Sequence, residues 1–131
     1  FRHDHVGYNY RMPNINAALG CAQLETLDKF IESKRQLALE YAEYFKNIED
    51  IQFFTEPKDT FSNYWLQAVI LKDKDAQQAF LQQTNDNGVM TRPIWELMNR
   101  LPMFENCEND GLKNTIWFAD RVVNIPSSVR L

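Results

Sequence analysis

Asn63-Tyr64-Trp65-Leu66-Gln67-Ala68-Val69-Ile70-Leu71 is the stretch on which the fold turns. Tyr64, Trp65, Leu66, Val69, Ile70 and Leu71 suit a pleated, half-buried surface, so the run predicts a strand. Immediately after it the period changes. Ala76, Ala79, Phe80 and Leu81 are set in a polar background from Asp73 to Asn87, which predicts an amphipathic helix. Asn87-Gly88 stands where a helix-ending glycine belongs. Val89 to Thr91 predicts a returning strand that meets Pro93, and Trp95 to Phe104 reads as irregular or short-helical, interrupted by Pro102. Leu112 to Val122 predicts a helix through Leu112, Ile116, Ala119 and Val123, with a last short strand over Val122 to Ile125 before Pro126.

Toward the amino terminus, Ile51-Gln52-Phe53-Phe54 predicts another short strand. Before it lies a long helical run. Ile15, Ala18, Leu19, Ala22, Leu24, Leu27 and Ile31 keep helical spacing, and Leu37, Tyr41, Tyr44, Phe45 and Ile48 continue it among charges. Asn14 is the expected N-cap after Pro13. The run from Asn14 to about Asn47 is long for one globular helix, so a break is expected near Asp28. Ala17, Ala18, Gly20 and Ala22 are small enough to let another backbone approach. Long helices followed by strand, strand, helix, strand and helix predict an α+β fold, an antiparallel sheet with flanking helices.

Composition narrows the function classes. With 131 residues, one compact domain is expected, burying about two-thirds of its unfolded surface. Hydrophobic residues make up 44% and charged residues 24%, as in ordinary globular proteins. No apolar run reaches the roughly 20 residues of a membrane helix. The net charge of −4 and the scattered Lys and Arg residues argue against nucleic acid, whose backbone is held by grouped cations. Cys21 and Cys107 are far apart in sequence and read as free thiols of a reducing cytoplasm. The start at Phe1 and the stop at Leu131, just after a strand, lead us to expect that both ends are cut.

No complete active site is legible from residue chemistry. His3-Asp4-His5 has too few neighbouring ligands for the three or four that zinc takes, so no metal site is expected. Neither a Gly-x-Ser-x-Gly nucleophile elbow nor a Gly-rich phosphate loop is present. The carboxylates read as solvated helix faces. One segment remains, Gly7-Tyr8-Asn9-Tyr10-Arg11-Met12-Pro13. Its glycine permits unusual backbone angles, its asparagine offers a donor and an acceptor, and its arginine is a planar cationic fork. Ahead of a helix, these groups can either meet an anionic ligand or simply hydrogen-bond a docking loop.

The run from His3 to Leu24 resembles the DegT-type sugar aminotransferases, fold-type I enzymes dependent on pyridoxal phosphate. Their G-x-N-x-R-M segment and following A-A-x-G-x-x-Q-L helix are matched by Gly7, Asn9, Arg11-Met12, Ala17-Ala18, Gly20 and Gln23-Leu24. Lys34-Arg35 and Tyr41 continue the family's long helix, and Gly88-Val89-Met90-Thr91-Arg92-Pro93 resembles its G-I-x-T-R strand. Asn-Tyr-Arg-Met-Pro-Asn and the Thr91 to Pro102 stretch look most like the branch serving legionaminic-type nonulosonic acid synthesis.

The resemblance implies the small carboxyl-terminal domain of such an enzyme. Residues 1–13 would be an active-site loop, 14–47 linking and interface helices, and 48–131 an α+β subdomain, with the large cofactor-binding domain absent. It implies that Asn9 reaches the pyridoxal phosphate of a neighbouring subunit in a homodimer. Arg11 and Tyr8 would line the substrate pocket, and Arg92 and Trp95 would contact the sugar or nucleotide. Trp95 reads equally well as a core or interface anchor. The substrates implied are glutamate and a keto sugar nucleotide. Lys29, Lys34, Lys46, Lys58, Lys72, Lys74 and Lys113 match no Schiff-base motif. No catalytic residue is therefore assigned, and the isolated chain is expected to be inactive and to hold little or no cofactor. A different class of function, a non-enzymatic α+β interaction domain, would make the Gly7 segment purely structural.

Overall fold

The computed structural model describes residues 8–130. The expected break in the long helical run is present, a little earlier than Asp28. Helix α1 spans Asn14–Leu24 and helix α2 spans Leu27–Phe45. Between them Thr26 turns back on the end of α1, its N–H and its hydroxyl both donating to the Gln23 carbonyl (3.2 and 3.1 Å). Asn14 is not the cap. Pro13 takes that place in an extended conformation, its carbonyl accepts from the Ala17 N–H (3.0 Å), and Asn14 is the first helical residue.

Four strands follow: β1 (Ile51–Phe53), β2 (Gln67–Leu71), β3 (Arg92–Pro93) and β4 (Val122–Ile125). They form one antiparallel sheet in the order β1-β2-β4-β3. Val69 is set against Phe53 on one side and Val123 on the other. Because cross-strand partners share a face, this register gathers Phe53, Val69, Leu71, Val123 and Ile125 into one apolar layer. Helix α2 covers it with Ala38, Tyr41, Ala42 and Phe45. Helix α3 (Lys74–Asp86) covers it with Ala76, Phe80 and Leu81. Ala68, Asn124 and Arg92 are aligned across the opposite face, where Ala68 and Asn124 are half-buried and Arg92 is exposed. The fold is α+β, as the order of periods predicts.

Two strand expectations need correction. Strand β2 starts at Gln67 rather than Asn63, because Tyr64 takes a left-handed backbone (φ 45°) that no strand accommodates. Val89 to Thr91 is not a strand either, and pairing begins only at Arg92. Its backbone is spent on the end of α3. Gly88, at φ 77°, donates to the Asn85 carbonyl and Val89 to the Thr84 carbonyl, the paired bonds of a Schellman stop. Thr91 is then held by Asn85 and by the Thr84 hydroxyl, 2.6 Å away. The predicted Leu112 to Val122 helix is shorter, α4 (Lys113–Ala119), leaving Val122 to open β4.

Candidate functional site

The amino-terminal segment is open to solvent along its length. From Tyr8 to Asn16 every residue is exposed, with Tyr8 at 82%. Gly7 and the His3-Asp4-His5 cluster lie outside the described residues. Asn9 forms a tight turn in which its Oδ1 accepts the Arg11 N–H (3.0 Å). The acceptor end of the amide is thereby used, while its NH₂ and the Arg11 guanidinium carry no hydrogen bond among the described residues. Two sets of N–H donors, one cationic, are thus available to an anion. A phosphate group fits that chemistry, since it offers only acceptor oxygens. Tyr8 and Tyr10 hold their rings 6.3 Å apart beside it.

Arg92 and Trp95 occupy a second place, at the β3 edge. Arg92 is exposed, and its guanidinium contacts only the Met90 sulfur (3.4 Å) among the described residues. Trp95 is 71% exposed, so it is not a core anchor within this chain. Its indole stacks on Trp65, with ring centroids 6.4 Å apart and planes 28° from parallel. No hydrogen bond, ion pair or aromatic contact among the described residues joins the Tyr8–Arg11 segment to Arg92 or Trp95. The chain therefore presents two separate groups of candidate residues.

A third polar cluster escapes sequence reasoning. Arg35 of α2 forms a two-pronged ion pair with Glu56 (2.7 and 2.9 Å) and donates to the Ser62 carbonyl (2.7 Å). The Ser62 N–H donates back to Glu56 (2.6 Å), and the Arg35 guanidinium lies 4.1 Å from the centre of the Phe61 ring. The hydrogen bonds from Arg35 and the Ser62 backbone pull the Glu56 carboxyl down to about 2. Lys34, next along the helix, donates to the Trp65 carbonyl (3.1 Å) and to that of Ser127, and burial lowers its pKa. The pairing of Lys34-Arg35 with residues 21 to 93 positions away has no signal in a single sequence. These bonds fix the loop that carries Trp65 and are structural.

Three further lysines are held in ion pairs: Lys46 pairs with Glu43, Lys72 with Asp50 and Lys74 with Asp120. Among the described residues no three His, Cys, Asp or Glu side chains are grouped to hold a metal ion, and no helix is long and apolar enough to cross a membrane.

The chain is similar to known proteins throughout its length. It is 36% identical over 131 aligned positions to the GDP-perosamine synthase of Vibrio cholerae, covering 95% of this chain and 35% of that protein. It spans about a third of the length of the curated relatives it matches. Its fold is that of PseC, a Helicobacter pylori aminotransferase involved in pseudoaminic acid biosynthesis (TM-score 0.82, 20% identity, 97% of this chain and 35% of the other). It is also that of the Escherichia coli GDP-4-keto-6-deoxy-D-mannose-3-dehydratase solved with bound hydrated pyridoxal phosphate (TM-score 0.70, 21% identity, 98% and 34%). A model of the family matches residues 1–131 from end to end, and the chain belongs to the DegT/DnrJ/EryC1/StrS aminotransferase family.

Proposed function

We propose that this chain is the small carboxyl-terminal part of a pyridoxal-phosphate-dependent aminotransferase that moves an amino group, from glutamate, onto a 4-keto-6-deoxy sugar nucleotide. Such an enzyme serves bacterial surface-polysaccharide or nonulosonic acid biosynthesis in the cytoplasm. The observation that carries this reading is the exposed Asn9–Arg11 turn, whose side-chain N–H donors, the Asn9 amide and the Arg11 guanidinium, have no hydrogen bond within the described residues. The name of the Vibrio cholerae relative favours a GDP-linked sugar over the legionaminic-type branch that the sequence motifs suggest.

In this reading residues 1–13 form an active-site loop, 14–47 the linking and interface helices, and 48–131 the α+β subdomain. The lysine-bearing large domain lies outside this chain, and these residues alone are inactive. Pyridoxal phosphate supplies the electron sink through which an amino group changes carrier. Asn9 donates through its amide NH₂ to the cofactor phosphate held by the other subunit of a homodimer, and Tyr8 lines the same pocket. Arg11 binds a substrate carboxylate as a planar fork. Arg92 and Trp95 hold the nucleotide-sugar.

The test is Asn9→Ala in the intact enzyme. A hydrogen bond to a charged acceptor contributes roughly 1.5–3 kcal/mol, so cofactor retention falls on the order of 10- to 100-fold, read as visible absorbance surviving gel filtration. Unchanged retention removes Asn9 from the phosphate site.

A further inference from the structure

Trp65 is presented at some cost. The residue before it, Tyr64, holds a left-handed backbone conformation (φ 45°), which costs an aromatic L-residue free energy and is found where surrounding contacts impose it. Those contacts are present. The Tyr64 N–H donates to the Ser62 hydroxyl (3.0 Å), and the Tyr64 hydroxyl accepts the Glu56 N–H (3.0 Å). Both backbone polar groups of Trp65 are also tied: its N–H donates to Asn63 Oδ1 (3.0 Å) and its carbonyl accepts from Lys34 Nζ (3.1 Å). All this fixes a residue that is 65% exposed and whose ring centre lies 6.4 Å from that of Trp95, itself 71% exposed. Exposed indoles gain little from folding, so holding two of them side by side, with planes 28° from parallel, points to a planar ligand.

We propose that Trp65 and Trp95 form a stacking platform for the base of the nucleotide-sugar, with Trp65 setting its plane. The proposal rests on the nucleotide-sugar reading above and adds to it a residue and a mode of recognition. Aromatic stacking accepts any base, because every base has a π-face. Arg92, three residues from Trp95 and without a carboxylate partner among the described residues, supplies charge for a diphosphate. A second copy of the chain would also cover exposed indoles, and the mass of the assembly separates that occupant from a nucleotide.

The experiment uses the intact, cofactor-loaded enzyme, titrated by calorimetry with GDP and, in parallel, dTDP and UDP. Trp65→Ala is expected to raise the GDP Kd about 5- to 150-fold, the range of one lost base–aromatic stack. Trp65→Phe should recover most of the affinity, and Trp95→Ala, at an exposed position, should weaken binding without unfolding. An unaltered GDP Kd in Trp65→Ala overturns the platform, as does failure of the unmodified enzyme to bind any of the three nucleotides. So does a change in dimer mass at constant Kd, which would mark the indoles as a contact between copies. Failure of the unmodified enzyme to react with glutamate would instead sink the aminotransferase reading and leave the nucleotide titration standing as a separate result.

Discussion

Helices α1 and α2 are neighbours in sequence and opposites in burial. Helix α1, Asn14–Leu24, contains no charged residue, yet none of its residues is buried, and Ile15, Leu19 and Leu24 stand exposed. Helix α2 carries Asp28, Lys29, Glu32, Lys34, Arg35, Glu40 and Glu43, yet it buries Leu37 and Ala38 and covers the sheet. The more polar helix does the packing. Apolar content therefore measures how much a helix gains from being covered, and topology decides what covers it. For α1 no cover is found among the described residues.

The largest test of this contrast is Phe53→Ala. Phe53 lies under α2 with its ring 5.9 Å from that of Tyr41, and it is almost fully buried. Its truncation should cost about 3–5 kcal/mol, read as a fall in the urea midpoint. A loss below about 1 kcal/mol would mean that α2 is not seated on the sheet as described.

Next comes Arg35→Met, which probes how α2 holds the loop before β2. The folded-state pKa of Glu56 is depressed to about 2 from a reference of 4.5. A depressed carboxyl contributes stability that is fully present above its unfolded pKa and is lost as pH falls through the folded one. The stability difference between parent and Arg35→Met should therefore be flat from pH 8 to about 5 and shrink toward pH 2. A difference independent of pH down to 2 would detach the Arg35 effect from Glu56.

The smallest effect on folding is expected at Leu19→Glu, within about 0.5 kcal/mol of the parent. The same change should reduce self-association seen by light scattering at high protein concentration. If it instead unfolds the chain, α1 has a covering surface that the described contacts do not reveal, and the contrast with α2 fails.

Sequence periodicity located the elements well where one chemical signal governs them. The amphipathic run after Asp73 and its Gly88 stop are local, and the structure has both. It failed where distant groups outbid the local preference. Residues 89 to 91 look like a strand, but the end of α3 claims their backbone first. Residues 63 to 66 carry strand-forming side chains, but Tyr64 is turned left-handed by bonds to Glu56 and Ser62. The candidate site divides the same way. Asn9 and Arg11 stand in a contiguous motif, and the exposed turn they form is consistent with it. Trp65 becomes a candidate only through its stack on Trp95, 30 positions on, and nothing in the run Asn63–Leu71 marks its indole as exposed.

The brevity of the outer strands constrains how such a chain can associate. β1 has three residues, and β3 has two, one of them Pro93, which has no N–H to give a newcomer. Sheet extension from either margin is thereby discouraged, whereas α1 offers an exposed surface without charge. Subunits that meet through helix side chains can part and rejoin, whereas a growing ribbon of hydrogen-bonded backbone would trap them.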